Sequence, residues 1–186
     1  GDVWMVFISR LGNAGMIWIL FTCLLLMIPR TRRWGAALAA ALCLDALICN
    51  ILLKPMVCRI RPCDVNQTVQ LLIARPADYS FPSGHTACAA CAMLLALLPT
   101  LKKGAEKRIP LLYLLGCGWG AVTAFTRLRM GAHFLTDVTM AWLITLGMCV
   151  LSVYLFYFNK KFFTRLWAFI SESPNPFTMK KKKTDL

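Results

Sequence analysis

The chain has 186 residues, of which 59% are hydrophobic and 16% are charged, and its formal net charge is +13. Soluble domains have about 45–50% apolar and about 25% charged residues. Together with a mean hydropathy of +0.63, this composition argues against a soluble globular protein, a disordered chain and a nucleic-acid binder, which would place its positive charge on a polar, soluble face.

The length is that of one domain, and because the first residue is Gly1 rather than Met we expect upstream sequence to be missing. Seven of the nine cysteines lie in apolar runs, where Cys behaves as a small hydrophobic residue, so no disulfide framework is expected. Cys58 and Cys63 lie in a polar connection and could pair. The Cys88-x-x-Cys91 spacing lacks a second pair, which makes a zinc site improbable.

Five apolar segments follow one another along the chain, and each approaches the roughly 20 helical residues that cross a bilayer. Their connections are polar and strand alternation is absent, so we predict an all-α, integral-membrane helical bundle. Residues 1–12 are too short for a span and are expected to be an interfacial segment or the end of an upstream helix, which would give six spans in the full chain. The five segments are roughly 13–29, 34–53, 84–101, 109–126 and 134–158.

The positive charges predict the orientation, because Lys and Arg accumulate in cytoplasmic loops. With five alternating spans, 14 of the 21 Lys and Arg residues lie on one side and seven on the other. The side with 14 is predicted to be cytoplasmic, so connections 54–83 and 127–133 face outward. The outward cations are Arg10, Lys54, Arg59, Arg61, Arg75, Arg127 and Arg129.

The C-terminal part is predicted to differ from the bundle. Residues 1–158 are expected to form the transmembrane domain, and residues 159–186 a cytoplasmic segment with a basic tail. Bases alternate with bulky apolar residues from Lys160 to Ile170, which is typical of an interfacial helix on an anionic leaflet. A simple continuation of the last membrane helix is the alternative.

Three outward cations, Lys54, Arg61 and Arg127, lie at the edges of apolar segments, where an isolated cation is costly without an anionic partner. The nearby carboxylates are few. They are those of Asp64, Asp78 and Asp137. Because arginine's forked donors suit phosphate, these cations predict an anion site. Each cation alone could instead extend to lipid headgroups.

Both histidines of the chain lie beside these cations. Pro82-Ser83-Gly84-His85 has the form of a helix start, whose free N–H groups can bind an anion. His133 and Asp137 are four residues apart, so on a helix the carboxylate can reach the imidazole and support a nucleophilic or basic histidine.

These residues resemble the three-part signature of the type 2 phosphatidic acid phosphatase superfamily of lipid phosphatases. The three parts are, in chain order, Lys54-x6-Arg61-Pro62, Pro82-Ser83-Gly84-His85 and Arg127-x5-His133-x3-Asp137. The signature usually has Ser where this chain has Thr126. The resemblance implies a metal-independent reaction without a cofactor. His133 would attack phosphorus, Asp137 would orient it, and His85 would protonate the leaving oxygen. The phosphate would be held by Lys54, Arg61, Ser83, Gly84 and Arg127.

The resemblance favours undecaprenyl diphosphate as the substrate, with phosphatidylglycerophosphate or phosphatidate as alternatives. The apolar stretch 69–74 could border the lipid entrance, and Asp45 could either touch the site or bond a neighbouring helix. A lipid-headgroup binding protein or transporter would share the anion site without needing the His133 and Asp137 pair. A vanadium haloperoxidase would share the pocket, but its relatives are soluble. The expected partners are the lipid substrate and the bilayer of the cell membrane, and no nucleic acid.

Overall fold

The computed structural model describes residues 2–11, 15–66, 68–69, 71–91 and 109–172, and every regular element among them is helical. The predicted all-α fold is confirmed for these residues. The elements are α1 (Asp2–Leu11), α2 (Met16–Met27), α3 (Arg32–Asp45), the π-helical stretch π1 (Ala46–Leu53), α4 (Lys54–Val57), α5 (Pro62–Val65), α6 (Gly84–Ala90), α7 (Ile109–Arg129), α8 (Leu135–Val153), the π-helical stretch π2 (Tyr154–Phe158) and α9 (Lys160–Glu172).

Two stretches are long and apolar enough to cross a bilayer, Arg32–Val65 and Leu135–Phe156. They correspond to the second and fifth predicted segments. The first predicted segment forms the shorter apolar helix α2, and the fourth forms α7. The third begins with α6, and its residues 92–101 lie outside the described residues, so the number of spans stays a prediction.

The side chains are distributed as in a helical bundle within lipid. Leu20, Leu143 and Val150 are large, apolar and exposed, whereas the polar Thr145 and the acidic Asp45 are fully buried. Outward apolar surface and inward polar groups are typical of membrane helices, whose polar residues avoid the hydrocarbon.

The bundle core forms where α3 packs against α2 and α8, and α6 against α7 and α8. Small residues allow this close approach. A Cβ on Gly35 would lie 2.9 Å from the backbone nitrogen of Leu26, so α2 and α3 touch backbone to backbone there. The buried core consists of Leu25, Ala37, Leu38, Ala41, Cys91, Cys149, Val153 and Phe156.

Residues 2–11 form α1, which is too short to span a bilayer and packs against α7. At the other end of the chain, α8 and π2 end before Asn159, whose side-chain oxygen accepts a hydrogen bond from the Phe162 amide at 3.0 Å at the start of α9. The boundary at residue 159 and the cytoplasmic position of this part stay predictions, and residues 173–186 lie outside the described residues.

All nine cysteines are free thiols, including Cys58 and Cys63, which do not pair. Among the described residues, no group of three His, Cys, Asp or Glu side chains could hold a metal ion.

Candidate active site

A cavity of about 1140 Å³ opens at the end of the bundle where α1, α4 and α6 meet the turn between α7 and α8. This volume is slightly above the roughly 300–1,000 Å³ of pockets for small ligands. Six of the eight predicted site residues line it, and they come from three separate parts of the sequence. They are Lys54, Arg61, Gly84, His85, Arg127 and His133.

The Arg61 side chain is the hub of the site and is 3% exposed. Its Nε donates to the Asp78 carbonyl at 2.8 Å, and its Nη1 donates to the Ala132 carbonyl at 2.7 Å. Nη1 also lies 3.2 Å from Nε2 of His133. These bonds fix the guanidinium between the 66–83 connection and the α7–α8 turn. The predicted phosphate-binding residue therefore also holds the two connections together.

The Asp78 carboxylate forms ion pairs with two of the predicted phosphate-binding cations, Lys54 and Arg61. Its Oδ1 accepts a hydrogen bond from Nη2 of Arg61 at 2.5 Å, and its Oδ2 pairs with the Lys54 ammonium. Burial alone would raise the pKa of Asp78, but the hydrogen bonds and charges of Lys54 and Arg61 outweigh it and lower this pKa to about 2. Asp78 is thus ionised at any physiological pH and pairs with two of the predicted phosphate-binding cations.

The His133 imidazole is 4% exposed, at the turn before α8. Its Nδ1 lies 2.8 Å from the Ser80 carbonyl, so Nδ1 carries the proton and donates it. Nε2 is therefore unprotonated, and Arg61 donates to it. Burial first, and then the charges of Arg127 and Arg61, lower the pKa of His133 to about 4, against the opposing effect of Asp137. The ring is neutral at pH 7, as a nucleophile requires.

The predicted direct bond between His133 and Asp137 is replaced by a longer contact. Their closest atoms, Nδ1 and Oδ2, are 3.8 Å apart, which exceeds a hydrogen bond. Oδ2 instead accepts bonds from the Ser80 hydroxyl at 2.5 Å and the Phe134 amide at 2.9 Å. Asp137 thus holds Ser80, and the Ser80 carbonyl holds the imidazole.

Sequence reasoning missed Ser80 and Arg59. The Arg59 guanidinium donates to Oδ1 of Asp137 at 2.7 Å and stacks over the Phe134 ring at 4.3 Å. The Ser80 amide also donates to the Arg59 carbonyl at 2.8 Å. The position of Arg59 two residues before Arg61 was a weak signal, and nothing in the sequence singled out Ser80.

The start of α6 is tied to the start of α8, because the Ser83 amide donates to the Asp137 carbonyl at 3.2 Å. Ser83 has the extended backbone of an N-cap, yet its hydroxyl bonds that of Thr86 at 2.9 Å rather than a backbone amide. Ser83 is fully buried behind the cavity wall, while Gly84 and His85 line the cavity.

Arg127 lies in the last turn of α7 and is 3% exposed. Its Nη1 donates to the Ser9 hydroxyl at 2.8 Å, and its Nε lacks a hydrogen-bond partner. No carboxylate in the described ranges pairs with it. The Thr126 hydroxyl donates to the Thr123 carbonyl at 2.7 Å within its own helix, so the replacement of Ser by Thr at this position does not enter the cavity.

The apolar wall of the cavity includes Leu71, Leu72 and Ile73, from the stretch predicted to border a lipid entrance. Asp45 also lines the cavity, deeper along α3, with its Oδ2 3.4 Å from the Cys88 thiol. Asp45 therefore both bonds a neighbouring helix and contributes to the wall, which the sequence had left as alternatives.

The turn that carries His133 is shaped by Gly131, which has φ +66°. A Cβ at this position would lie 2.2 Å from a methyl carbon of Val69. A side chain is thus excluded both by the backbone conformation and by the 66–83 connection.

Comparison with known proteins gives consistent matches. The family model described as the PAP2 superfamily matches residues 34–161. The chain is 30% identical over 149 residues to an undecaprenyl-diphosphatase of Sulfolobus acidocaldarius, covering 80% of this chain and 68% of that protein.

Two crystal structures share the fold. The first is a transmembrane PAP2-type phosphatidylglycerolphosphate phosphatase from Bacillus subtilis, with a TM-score of 0.69 and 23% identity over 86% of this chain and 77% of that one. The second is LpxE of Aquifex aeolicus, with a TM-score of 0.66 and 24% identity over 82% of this chain and 84% of that one.

Proposed function

This chain belongs to the PAP2 superfamily of lipid phosphatases, and from that premise we propose that it hydrolyses undecaprenyl diphosphate to undecaprenyl phosphate and inorganic phosphate through a phosphohistidine at His133. The observation that carries the proposal is the tautomer of His133. Its proton is held on Nδ1 by the Ser80 carbonyl, which leaves the Nε2 lone pair beside the phosphate-binding cations.

The phosphate to be transferred takes the position of the Asp78 carboxylate. Lys54 and Arg61 then release Asp78 and bind two phosphate oxygens, while Arg127 and the Gly84 amide bind from the other wall. Ser83 supports this wall from behind. Phosphoryl transfer depends chiefly on positioning and on neutralising the charge of these oxygens, and the cations supply both.

In the first step Nη1 of Arg61 moves its hydrogen bond from Nε2 of His133 to a phosphate oxygen. Nε2 then forms a bond to phosphorus, and the bond from phosphorus to the leaving oxygen breaks. His85 donates a proton to that oxygen, so the departing lipid phosphate carries a hydroxyl at the cleaved position. The imidazole becomes cationic, and the Ser80 carbonyl and the Asp137 carboxylate stabilise it.

In the second step water attacks the phosphorus and gives a proton to His85, the bond to Nε2 breaks, and inorganic phosphate leaves. Each proton and bond is thereby restored. We propose that neither step needs a metal ion, since the cations of the chain neutralise the phosphate.

The choice of undecaprenyl diphosphate rests on the Sulfolobus acidocaldarius relative and on the apolar wall formed by Leu71, Leu72 and Ile73. Phosphatidylglycerophosphate or phosphatidate is the second candidate, because the solved structure of similar fold from Bacillus subtilis is a phosphatidylglycerolphosphate phosphatase. The positive charges favour a multi-pass cell-membrane protein with this cavity on the extracytoplasmic face.

The experiment is a panel of undecaprenyl diphosphate, phosphatidylglycerophosphate and phosphatidate presented in detergent to the purified protein with excess chelator. We expect the fastest phosphate release from undecaprenyl diphosphate. Faster phosphate release from phosphatidylglycerophosphate or phosphatidate would make that lipid the preferred substrate in place of undecaprenyl diphosphate. Loss of phosphate release on chelation would refute the metal-free reaction. Binding of all three lipids without release would instead support a headgroup-binding protein.

A further inference from the structure

Arg10 is a cation of the cavity that lies outside the three-part signature. Val6, Ser9 and Arg10 all line the cavity, and their spacing of three and four residues places them on one face of α1. The Ser9 hydroxyl accepts a hydrogen bond from Arg127 at 2.8 Å, so the last turn of α1 lies at the level of the phosphate-binding groups.

The charges of the cavity are unevenly matched. Lys54 and Arg61 share Asp78, and Arg75 pairs with Asp64. Arg10 lacks a carboxylate partner among the described residues, and so does Arg127. The two arginines that remain unpaired are therefore neighbours through Ser9 and share one side of the cavity.

A single phosphate group carries a charge of about −1.5 to −2, and Lys54, Arg61 and Arg127 already offer it three positive charges. Arg10 is therefore not needed to neutralise one phosphate. A diphosphate adds a second group with further negative charge and acceptor oxygens, directly bonded to the first. This second group gives the Arg10 guanidinium an anionic partner.

We propose that Arg10 binds the second phosphate of a lipid diphosphate and makes the enzyme select diphosphates over monophosphates. This inference rests on the proposed function, because it assigns a partner to the phosphate that stays with the lipid. Arg10 contacts substrate but takes no part in bond cleavage. Arg10 is an exposed residue, so its side chain is available to a ligand.

The test compares Arg10→Gln with the unmodified protein on farnesyl diphosphate and farnesyl phosphate, which share one chain. A charge-assisted hydrogen bond of the usual strength predicts a fall in kcat/KM of roughly 10- to 100-fold for the diphosphate. The fall for the monophosphate should be under about threefold. Arg10→Lys should recover part of the diphosphate activity, because it restores the charge without the forked donors.

Arg75→Gln is the matched control, since Arg75 lines the same cavity but is paired with Asp64. It should change both substrates equally and little. Equal losses for both substrates in Arg10→Gln would overturn the inference, as would a diphosphate loss in Arg75→Gln as large as that in Arg10→Gln. If the unmodified protein releases phosphate from neither substrate, the result refutes the proposed function instead.

A second inference comes from the opposite end of the bundle, where a cavity of about 650 Å³ lies between the α2–α3 turn and α9. Two of its arginines are held by aromatic rings of α9. The Arg32 guanidinium lies 5.0 Å from the centre of the Trp167 ring, and that of Arg33 lies 5.3 Å from the Phe163 ring. The two rings are stacked at 6.0 Å.

Arg30 and Lys160 complete a set of four cations around this cavity, and the residues that line it include no carboxylate. Stacking on a ring face leaves guanidinium N–H groups at the edge able to donate while reducing their conformational freedom. The Nε of Arg32 donates to the Leu26 carbonyl at 3.2 Å, and no side-chain hydrogen bond of its two terminal nitrogens is seen among the described residues. Basic pockets at helix ends bind phosphate headgroups of anionic lipids. We infer that this basic pocket holds the phosphate of an anionic phospholipid and so fixes α9 to the bundle.

Native mass spectrometry tests the inference on detergent-purified protein given phosphatidylglycerol, phosphatidylcholine or inorganic phosphate. The double variant Arg32→Gln, Arg33→Gln should lose one tightly bound phosphatidylglycerol. The control Lys161→Gln, Arg165→Gln removes the same charge from α9 outside the pocket and should retain it. Equal loss in both variants, equal retention of phosphatidylcholine, or binding of inorganic phosphate alone would each overturn the inference.

Discussion

The clearest consequence of the geometry concerns Asp78, whose carboxylate pairs with two of the cations that we propose bind phosphate. Lys54 is 12% exposed and Arg61 is 3% exposed, whereas Asp78 is 51% exposed. Asp78 can therefore move into solvent when phosphate arrives, and binding must break both of its ion pairs. Replacement by Asn keeps the shape of the side chain and removes this competition.

The size of the effect follows from the two pairs. A partly exposed, solvent-screened ion pair is worth about 0.2–1 kcal/mol, so the two pairs together oppose binding by about 0.4–2 kcal/mol. At about 1.4 kcal/mol for each tenfold change, Asp78→Asn should bind a phosphate mimic roughly 2- to 30-fold more tightly.

The assay is the inhibition constant of orthovanadate against phosphate release from undecaprenyl diphosphate. Asp64→Asn is the control, because it removes an equivalent carboxylate paired with Arg75, and it should change the constant by less than about twofold. An unchanged or weaker inhibition in Asp78→Asn would show that Asp78 organises the cations for phosphate and does not compete with it.

Three other predictions follow from the site. Titration of isotope-labelled histidine by NMR should give His133 a pKa of about 4. Because the folded protein binds fewer protons than the unfolded chain between this pKa and about 6.5, stability should fall as pH drops from about 6.5 to about 4. The kcat/KM should fall only as pH drops through about 4, where His133 of the folded protein takes up a proton, and a normal pKa would contradict the burial. Ser80→Ala removes the hydroxyl that Asp137 holds and should lower kcat by about tenfold with little change in KM; an effect on KM alone would refute a positioning role. Gly131→Ala should destabilise the protein by about 1–3 kcal/mol in thermal unfolding, whereas Gly118→Ala, where a Cβ meets nothing within 4 Å, should be neutral or stabilising, and equal effects would refute the role of the turn.

The sequence predicted the parts of this molecule that depend on local pattern. Apolar length predicted the long helices, and fixed spacing within short motifs predicted that Arg61, His85 and His133 belong to one site. Each motif is a short stretch of sequence that includes a helix end, so its chemistry could be recognised without knowledge of the fold.

The missed features depend on contacts between distant segments. Ser80 reaches Asp137 across 57 residues, and Arg59 reaches the same carboxylate across 78. The occupation of the cations by Asp78 depends on the path of the 66–83 connection, which has few regular elements to predict. The direct bond expected between His133 and Asp137 fails because the imidazole turns to the Ser80 carbonyl. Their spacing permits a bond but does not determine which acceptor is used.

The central claim is that the phosphoryl group passes through His133. Rapid acid-free quenching of the enzyme with undecaprenyl diphosphate labelled with ³²P at the terminal phosphate, followed by peptide mapping, tests it most directly. His85 donates a proton in the first step and accepts one in the second. His85→Gln should therefore slow both the formation and the hydrolysis of the phosphohistidine. We expect an acid-labile label on the peptide that contains His133, absent in His133→Ala. Release of phosphate at an unchanged rate by His133→Ala, or a label on another residue, would contradict it.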